Sequence, residues 1–399
     1  MQDVMRFSNL PEYAFPRLRS LLSGIEVAGD TISMHIGEPT HAFPKFINEI
    51  IIKNSNGFNS YPPNDGTESL RQAISSWISD RYKIPHPNHE NQILVLNGTR
   101  EGLFNASVAL SPETKSGKKS AILLPNPFYQ CYMVAAMAAG AEPIFLPTSE
   151  QTNFLPDLNQ IPAEILGRTT LFYLCSPSNP QGAIASSEYL ITLFNMAEKY
   201  NFKILADECY SEIYYNEKPI GILEISHKIS ANPERAIAFN SLSKRSNLPG
   251  LRSGFVAGGP KTISELKKLK SYSGAPLPLP IQYASEAVWK DERHVKKNRQ
   301  LYSKKLELAV SLLKKVPEFI PPKAGFFLWL PVKNGEIAAK SIWKNYGVKV
   351  LPGSYLSNLN HNIFGGGNPG ENFIRVALVN DYKKTNKGLN AIKSYILTQ

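Results

Sequence analysis

Within SLSKRSNLPGLRSG, residues 241–254, Lys244 lies between Ser243 and Ser246, with Arg252 eight positions on. A lysine that attacks a carbonyl must shed its proton near neutral pH, which takes desolvation or a cationic neighbour. The hydroxyls of Ser241 and Ser243, with an arginine close by, suit a phosphate, because charge-assisted and bidentate bonds hold that group firmly. A nucleophilic amine beside a phosphate cradle points to an aldehyde cofactor that carries a phosphate, pyridoxal 5'-phosphate. A basic surface loop is the competing reading of this segment alone. The rest of the chain decides between them.

The scaffold for such a lysine is an alternation of short apolar runs with amphipathic stretches, the pattern of a parallel or mixed sheet covered by helices. Strands are expected at 93–96, 121–124, 171–175, 203–206, 236–239 and 254–257, and helices at 100–110, 129–139, 187–200 and 261–272. The segments 114–119 and 364–370 are expected as loops, the second rich in glycine. No internal repeat or low-complexity linker divides the chain.

The turns at the strand ends carry the chemistry. Gly98, Thr99 and Arg100 open a helix after the first strand, where free backbone N–H groups can hold a phosphate. Pro125-Asn126-Pro127-Phe128-Tyr129 presents aromatic rings at a rigid turn, and Tyr129 suits a flat cofactor by offset stacking. Asn179 lies in SPSNPQG, and with Tyr210 it can donate to a phenolic oxygen of the cofactor. Asp207 ends a strand and suits the protonated pyridine nitrogen, which draws electrons from a carbanion only while a carboxylate keeps it cationic. Taken singly, Asn179 and the two tyrosines read equally well as a turn asparagine and core aromatics, while a solvated strand end is the lesser reading of Asp207. In open α/β sheets, however, ligands bind beyond the carboxyl ends of the strands, so the five loops should converge.

With these motifs the chain resembles the fold-type I, pyridoxal-phosphate-dependent aminotransferases of the aspartate aminotransferase superfamily, nearly end to end. IGEP (36–39) resembles the family's amino-terminal substrate loop, YPPNDGTESLRQAI (61–74) its Y-P-x-x-x-G-x-x-x-L-R segment and SPSNPQGA (176–183) its N-P-x-G loop. ADECYSEIY (206–214) resembles D-E-x-Y, SLSKRSNLPGLRSGF (241–255) the S-x-S-K…R-x-G motif, and NFIRVALV (372–379) the strand whose arginine grips a substrate carboxylate. Gly259, where the family pattern suggests an acid, and the loop HNIFGGG (361–367) depart from it.

The resemblance implies an α/β fold of type I: a large domain with a mostly parallel seven-stranded sheet between helices, and a smaller α+β domain. The implied boundaries are 1–45 for an amino-terminal part of the small domain, 46–290 for the large cofactor domain and 291–399 for the small carboxyl-terminal domain. It implies Lys244, Asp207 and Tyr210 as catalytic residues. The cofactor site would hold Gly98, Thr99, Arg100, Tyr129, Asn179, Ser241, Ser243 and Arg252, and the substrate Gly37, Asn179 and Arg375. It also implies a homodimer in which Tyr61 reaches the partner's cofactor phosphate; locally, a tyrosine in a Tyr-Pro-Pro turn is only a loop aromatic.

Within the family, PNPFYQCY (125–132), AGFFLWLP (324–331), VLPGSYL (350–356) and NPGENFIRVALV (368–379) are most similar to succinyldiaminopimelate aminotransferases of lysine and cell-wall precursor synthesis. The expected reaction moves an amino group between L-glutamate and an acidic 2-amino-6-oxo acid, with Arg100 and Arg245 as candidates for its distal end; both read equally well as braces for the loops or as solvent-facing side chains. The alternatives are another amino-acid aminotransferase or a C–S lyase of the same fold. A ligand-sensing regulator would need an added DNA-binding segment, for which the start of the substrate loop near Ile36 leaves no room in this reading.

Bulk composition agrees with an enzyme of this kind. With 42% hydrophobic and 19% charged residues, a chain of 399 residues has ample core and no membrane-spanning run. Asp3, Arg6 and two prolines occupy the opening stretch where an export signal needs apolar residues. Cys131, Cys175 and Cys209 lack metal-type spacing, so reduced thiols in a cytoplasm are expected. His86 and His89 in HPNH read as a loop rather than a metal site. The net charge of +11 is mostly lysines outside an apolar stripe formed by Val295, Tyr302, Leu306, Ala309, Leu313 and Val316, hence a solvated helix face and not a nucleic-acid surface. Besides the cofactor, the expected partners are small amino-acid and oxo-acid substrates and a second copy of the chain, with no nucleic acid and no membrane.

Overall fold

Strands apolar on both faces must be covered on both sides, which parallel sheets achieve by returning the chain through helices. In the computed structural model, which describes residues 7–8, 10–27 and 29–398, the apolar runs become such strands. They are β1 (Ile93–Leu96), β2 (Ala121–Asn126), β3 (Glu142–Pro147), β4 (Thr169–Cys175), β5 (Lys203–Asp207), β6 (Ala236–Ser241) and β7 (Gly254–Gly258). Their order across one seven-stranded sheet is β1-β7-β6-β5-β4-β2-β3. Only β7 runs antiparallel to its neighbours. Every residue of β1, β2, β4, β6 and β7 is buried.

The register brings the chemistry to one level. Cys175 pairs with Asp207, Asp207 with Phe239, and Ser241 with Gly254. Strands β2, β5 and β6 continue beyond the expected ends into Asn126, Asp207 and Ser241, so the polar residues sit on rigid ladder rather than on loop. Strand β3 was not expected. Its sequence, EPIFLP, has proline at its second and last positions, which only an edge strand tolerates.

The covering helices are Thr99–Leu110, Cys131–Ala138, Ser187–Tyr200 and Pro260–Ser273. The third starts where Ser186 Oγ accepts from Tyr189 N at 3.2 Å, and ends at Asn201 in the left-handed conformation. At the fourth, the acid expected at position 259 comes from elsewhere. The Glu234 carboxylate accepts from Lys261 N and Thr262 N at 2.9 and 2.8 Å, filling the helix N-terminus over Gly259. A Cβ on Gly259 would lie 2.5 Å from that carboxyl carbon.

A smaller α+β unit contains β8 (Phe327–Pro331), β9 (Leu351–Pro352) and β10 (Phe373–Ala377), in the antiparallel order β8-β10-β9. Ile32–Ser33 pairs in parallel with Val348–Lys349, which joins the amino-terminal segment to this unit. The helix Arg293–Leu313 buries the apolar stripe that starts at Val295 and exposes Lys296, Lys297 and Lys304; Lys305 is buried. Segment 114–119, expected as a loop, is a small hairpin turned by Ser116 and Gly117, both at positive φ. Asp3 and Arg6 lie outside the described residues. Among those described, no helix is long and apolar enough to cross a membrane.

Candidate active site

A cavity of about 330 Å³ opens beyond the carboxyl ends of β4, β5 and β6, facing β10 of the smaller unit. Its polar wall divides into three parts, each built by different elements.

At one end stands Asp207, only 6% exposed. Its Oδ2 accepts from the Tyr132 hydroxyl at 2.6 Å and its Oδ1 from Cys209 N at 3.2 Å, so both oxygens are fixed. Sequence reasoning missed Tyr132. The available signal was its spacing of three from Tyr129, which puts both rings on one side of the chain entering the helix; the rings meet edge-on at 5.6 Å. Tyr132 is also stacked on Tyr173 at 4.4 Å. Tyr129 lines the cavity, and its hydroxyl accepts from Arg100 Nε at 2.5 Å.

At the opposite end the helix Thr99–Leu110 begins without a side-chain cap, leaving its first amides for another acceptor. Gly98 has φ 83°, and a Cβ there would sit 2.3 Å from Arg252 Nη2. Glycine is therefore required twice over, for backbone and for space. Gly98 lies just behind the cavity wall, while Thr99, Arg100, Ser241, Ser243 and Arg252 line it. Ser241 Oγ and Ser243 Oγ are 2.9 Å apart. Thr99 Oγ1 lies 3.1 Å from Cys209 Sγ, a second contact that sequence reasoning did not name. Amides, hydroxyls and a guanidinium make this an anion cradle.

Lys244 rises between the two ends. Its Nζ donates to Gly37 O and lies 5.6 Å from the Phe326 ring centroid. Burial lowers its pKa to about 8; Cys209 opposes this and the Arg375 cation assists it. Tyr210 is buried, with its ring edge-on to Phe326 and Phe327 at 5.5 and 5.9 Å. Burial pushes its hydroxyl pKa upward.

The third part belongs to β10. Arg375 is 4% exposed and donates from Nη1 to Asn179 Oδ1 at 3.1 Å and from Nη2 to His35 O at 2.8 Å. Its Cζ lies 4.2 Å from the Phe327 ring centroid. Burial lowers its pKa to about 10, and its Nε is buried without a hydrogen-bond partner. A carboxylate arriving in the cavity would satisfy that donor set. Gly37 covers the same wall, and a Cβ on it would meet Phe327 Cζ at 2.3 Å.

Two residues named from sequence stand apart. Tyr61 is 98% exposed and lies away from this chain's cavity. Arg245 points into the core, donating to Val288 O at 3.1 Å and to Glu292 Oε1 at 2.5 Å. It cannot read a substrate from there. Arg100, by contrast, stays on the cavity wall.

The sequence model of aminotransferase class I and II matches residues 30–392. The chain is 30% identical over 405 residues to an LL-diaminopimelate aminotransferase of Dehalococcoides mccartyi, covering 99% of each. An LL-diaminopimelate aminotransferase of Halothermothrix orenii is also 30% identical, over 99% of this chain and 98% of that protein. Among solved structures, an aminotransferase of Neisseria meningitidis superposes with TM-score 0.92 at 36% identity, covering 98% of this chain and 99% of that one. The aminotransferase AspB of Helicobacter pylori gives 0.89 at 34%, with the same coverage. Enzymes of this class use pyridoxal phosphate. The residues here fit it: a fixed carboxylate for a ring nitrogen, an uncapped helix start with Ser241, Ser243 and Arg252 for a phosphate, and a desolvated amine between them. Motifs, sheet order, cavity chemistry and both kinds of relative therefore agree that the chain belongs to the class I and II aminotransferases, pyridoxal-phosphate enzymes of fold type I.

Proposed function

We propose that this aminotransferase moves an amino group between L-glutamate and N-succinyl-2-amino-6-oxopimelate, giving N-succinyl-LL-2,6-diaminopimelate in lysine and diaminopimelate synthesis. The observation that carries the reading is the buried, incompletely paired Arg375 on the same cavity as Lys244, a carboxylate grip beside a low-pKa amine. The acidic, long substrate is supported by motif similarity to succinyldiaminopimelate aminotransferases, by relatives named for LL-diaminopimelate, and by Arg100 on the wall.

Bound pyridoxal phosphate supplies an electron sink for the substrate α-carbon. In this reading Arg375 and Asn179 hold the α-carboxylate of each substrate in turn, which fixes the face of the α-carbon turned to Lys244. Lys244 Nζ removes and returns the proton at that carbon, a task its lowered pKa suits. Asp207, held by Tyr132 and Cys209 N, keeps a proton on the ring nitrogen. The Tyr210 hydroxyl and the Asn179 amide would hold the ring oxygen of the bound cofactor. Residues 46–290 form the cofactor domain, and 1–45 with 291–399 the smaller domain. A homodimer completes the site with Tyr61 of the second copy, and the enzyme works in the cytoplasm.

The test is a substrate panel with purified holoenzyme, measuring glutamate formed from 2-oxoglutarate. The succinylated diaminopimelate should exceed free LL-diaminopimelate in kcat/KM by more than about tenfold. The reverse order assigns the enzyme to the reaction for which the Dehalococcoides relative is named and rejects the acylated substrate. Pyruvate release from cystathionine, with no transfer, would favour a lyase.

A further inference from the structure

A series of polar side chains outside the cavity, with Lys305 and Asn298 buried and His41 half-buried, ends on the main chain of Lys244. Lys305, 3% exposed on the helix Arg293–Leu313, donates from Nζ to Leu378 O at 3.1 Å and meets His41 Nε2 at 2.7 Å. His41 Nδ1 lies 2.8 Å from Asn298 Oδ1, and Asn298 Nδ2 donates to Lys244 O at 3.4 Å. Asn247 Nδ2 reaches the same Asn298 oxygen at 3.1 Å. An ammonium can only donate. His41 Nε2 must therefore carry the lone pair, Nδ1 the proton, and Asn298 must turn its oxygen to His41 and its amide nitrogen to Lys244. The cation at one end sets the sense of every bond in the series.

A line of ring contacts takes the same route. His41 lies 4.5 Å from Tyr302, Tyr302 is stacked on Phe326 at 5.2 Å, and Lys244 Nζ lies over Phe326. Thr40 Oγ1 donates to Val379 O at 2.5 Å, so the segment after Gly37 is tied to the chain just past β10. Arg375 itself is held independently, by the ladders of β8 and β9 and by its bonds to Asn179 and His35. Burial lowers the Lys305 pKa to about 8 against the opposing Asp381 carboxylate, so it is mainly a cation at pH 7.

We propose that Lys305 is a positioning residue for amino transfer, acting through His41 and Asn298 to fix the main chain that carries Lys244. The inference rests on Lys244 being the proton-transferring amine. Because Arg375 has its own supports, the effect falls on kcat and not on substrate affinity.

The test compares holoenzyme variants by steady-state kinetics and thermal melting. Lys305→Met and Asn298→Asp, which removes the amide donor at nearly constant shape, should each lower kcat about tenfold with KM changed less than about twofold. His41→Gln accepts from Lys305 and donates to Asn298 as histidine does, so it should restore most of the kcat that His41→Leu loses. Equal kcat in His41→Gln and His41→Leu, or wild-type kcat in Asn298→Asp, overturns the proposal. Should Lys305→Met fail to fold, the Asn298→Asp and His41→Gln results still decide. Lys244→Ala, run alongside, separates the two readings: turnover retained there rejects the role of Lys244 itself.

Discussion

Freed of cofactor, the enzyme should present a cavity lysine, Lys244, that titrates well below an ordinary one. Burial brings the Lys244 pKa to about 8, against an ordinary lysine near 10.5. At pH 7.5 about one quarter of such amines are unprotonated, against about one in a thousand for an ordinary lysine, an advantage of about 200-fold in free amine. The assay is the initial rate of pyridoxal phosphate capture by the apoprotein from pH 6 to 10, with peptide mapping to compare labelling at Lys244 and at exposed Lys297. The midpoint for Lys244 should fall near 8, and Arg375→Met should raise it, because the Arg375 cation helps to lower it. A midpoint at 10 or above would refute the desolvation argument. Stability gives a second reading. The folded pKa is depressed, so between about 8 and 10.5 the unfolded chain binds more protons, and stability rises with pH across that window and is lost as pH falls through 8. Lys244→Met should thus stabilise the apoprotein at pH 7, by at most about 3 kcal/mol.

Three other substitutions probe the remaining walls. Asp207→Asn should retain cofactor yet lower kcat by about two orders of magnitude or more, and near-normal turnover would remove Asp207 from its role. Tyr132→Phe, which takes away one bond to that carboxylate, should lower kcat more mildly, about tenfold, and cost about 1–2 kcal/mol in thermal or denaturant unfolding. Gly98→Ala forces a Cβ against Arg252 at a positive φ, so cofactor should leave faster on dialysis; wild-type retention would show that the cradle yields to the added methyl group.

The fold was legible wherever apolar runs were bounded by turn residues. All six expected strands form, and the one strand of the seven-stranded sheet that escaped was the edge strand β3, whose prolines read as loop because no sequence rule says which strand lies at an edge. The loops that converge were readable because each comes directly after a strand, and register then brings Asp207 level with Cys175. Tyr132 and Cys209 were not, since their contacts depend on how a helix and a strand end face each other in space. Arg245 was left open between substrate contact and brace for a related reason, and the structure makes it a brace. Neighbours on one helical turn point in different directions, and proximity in sequence to Lys244 does not give proximity to substrate. The buried Lys305 shows the same limit. It sits among lysines assigned to solvent, and only the packing of the amino-terminal segment against its helix reveals which one turns inward.

Lys244 and Arg245 occupy one short helical turn but face opposite worlds. The second of the pair is clamped between the rings of Trp77 and Trp289, at 5.6 and 4.8 Å from their centroids, with Glu292 closing the grip. Its cargo is mechanical: a reactive amine on a long, supple stem needs a footing that does not rock. Changing Arg100 on the cavity wall would alter recognition, whereas changing Arg245 would loosen the ground under the reaction while leaving the recognition surface untouched.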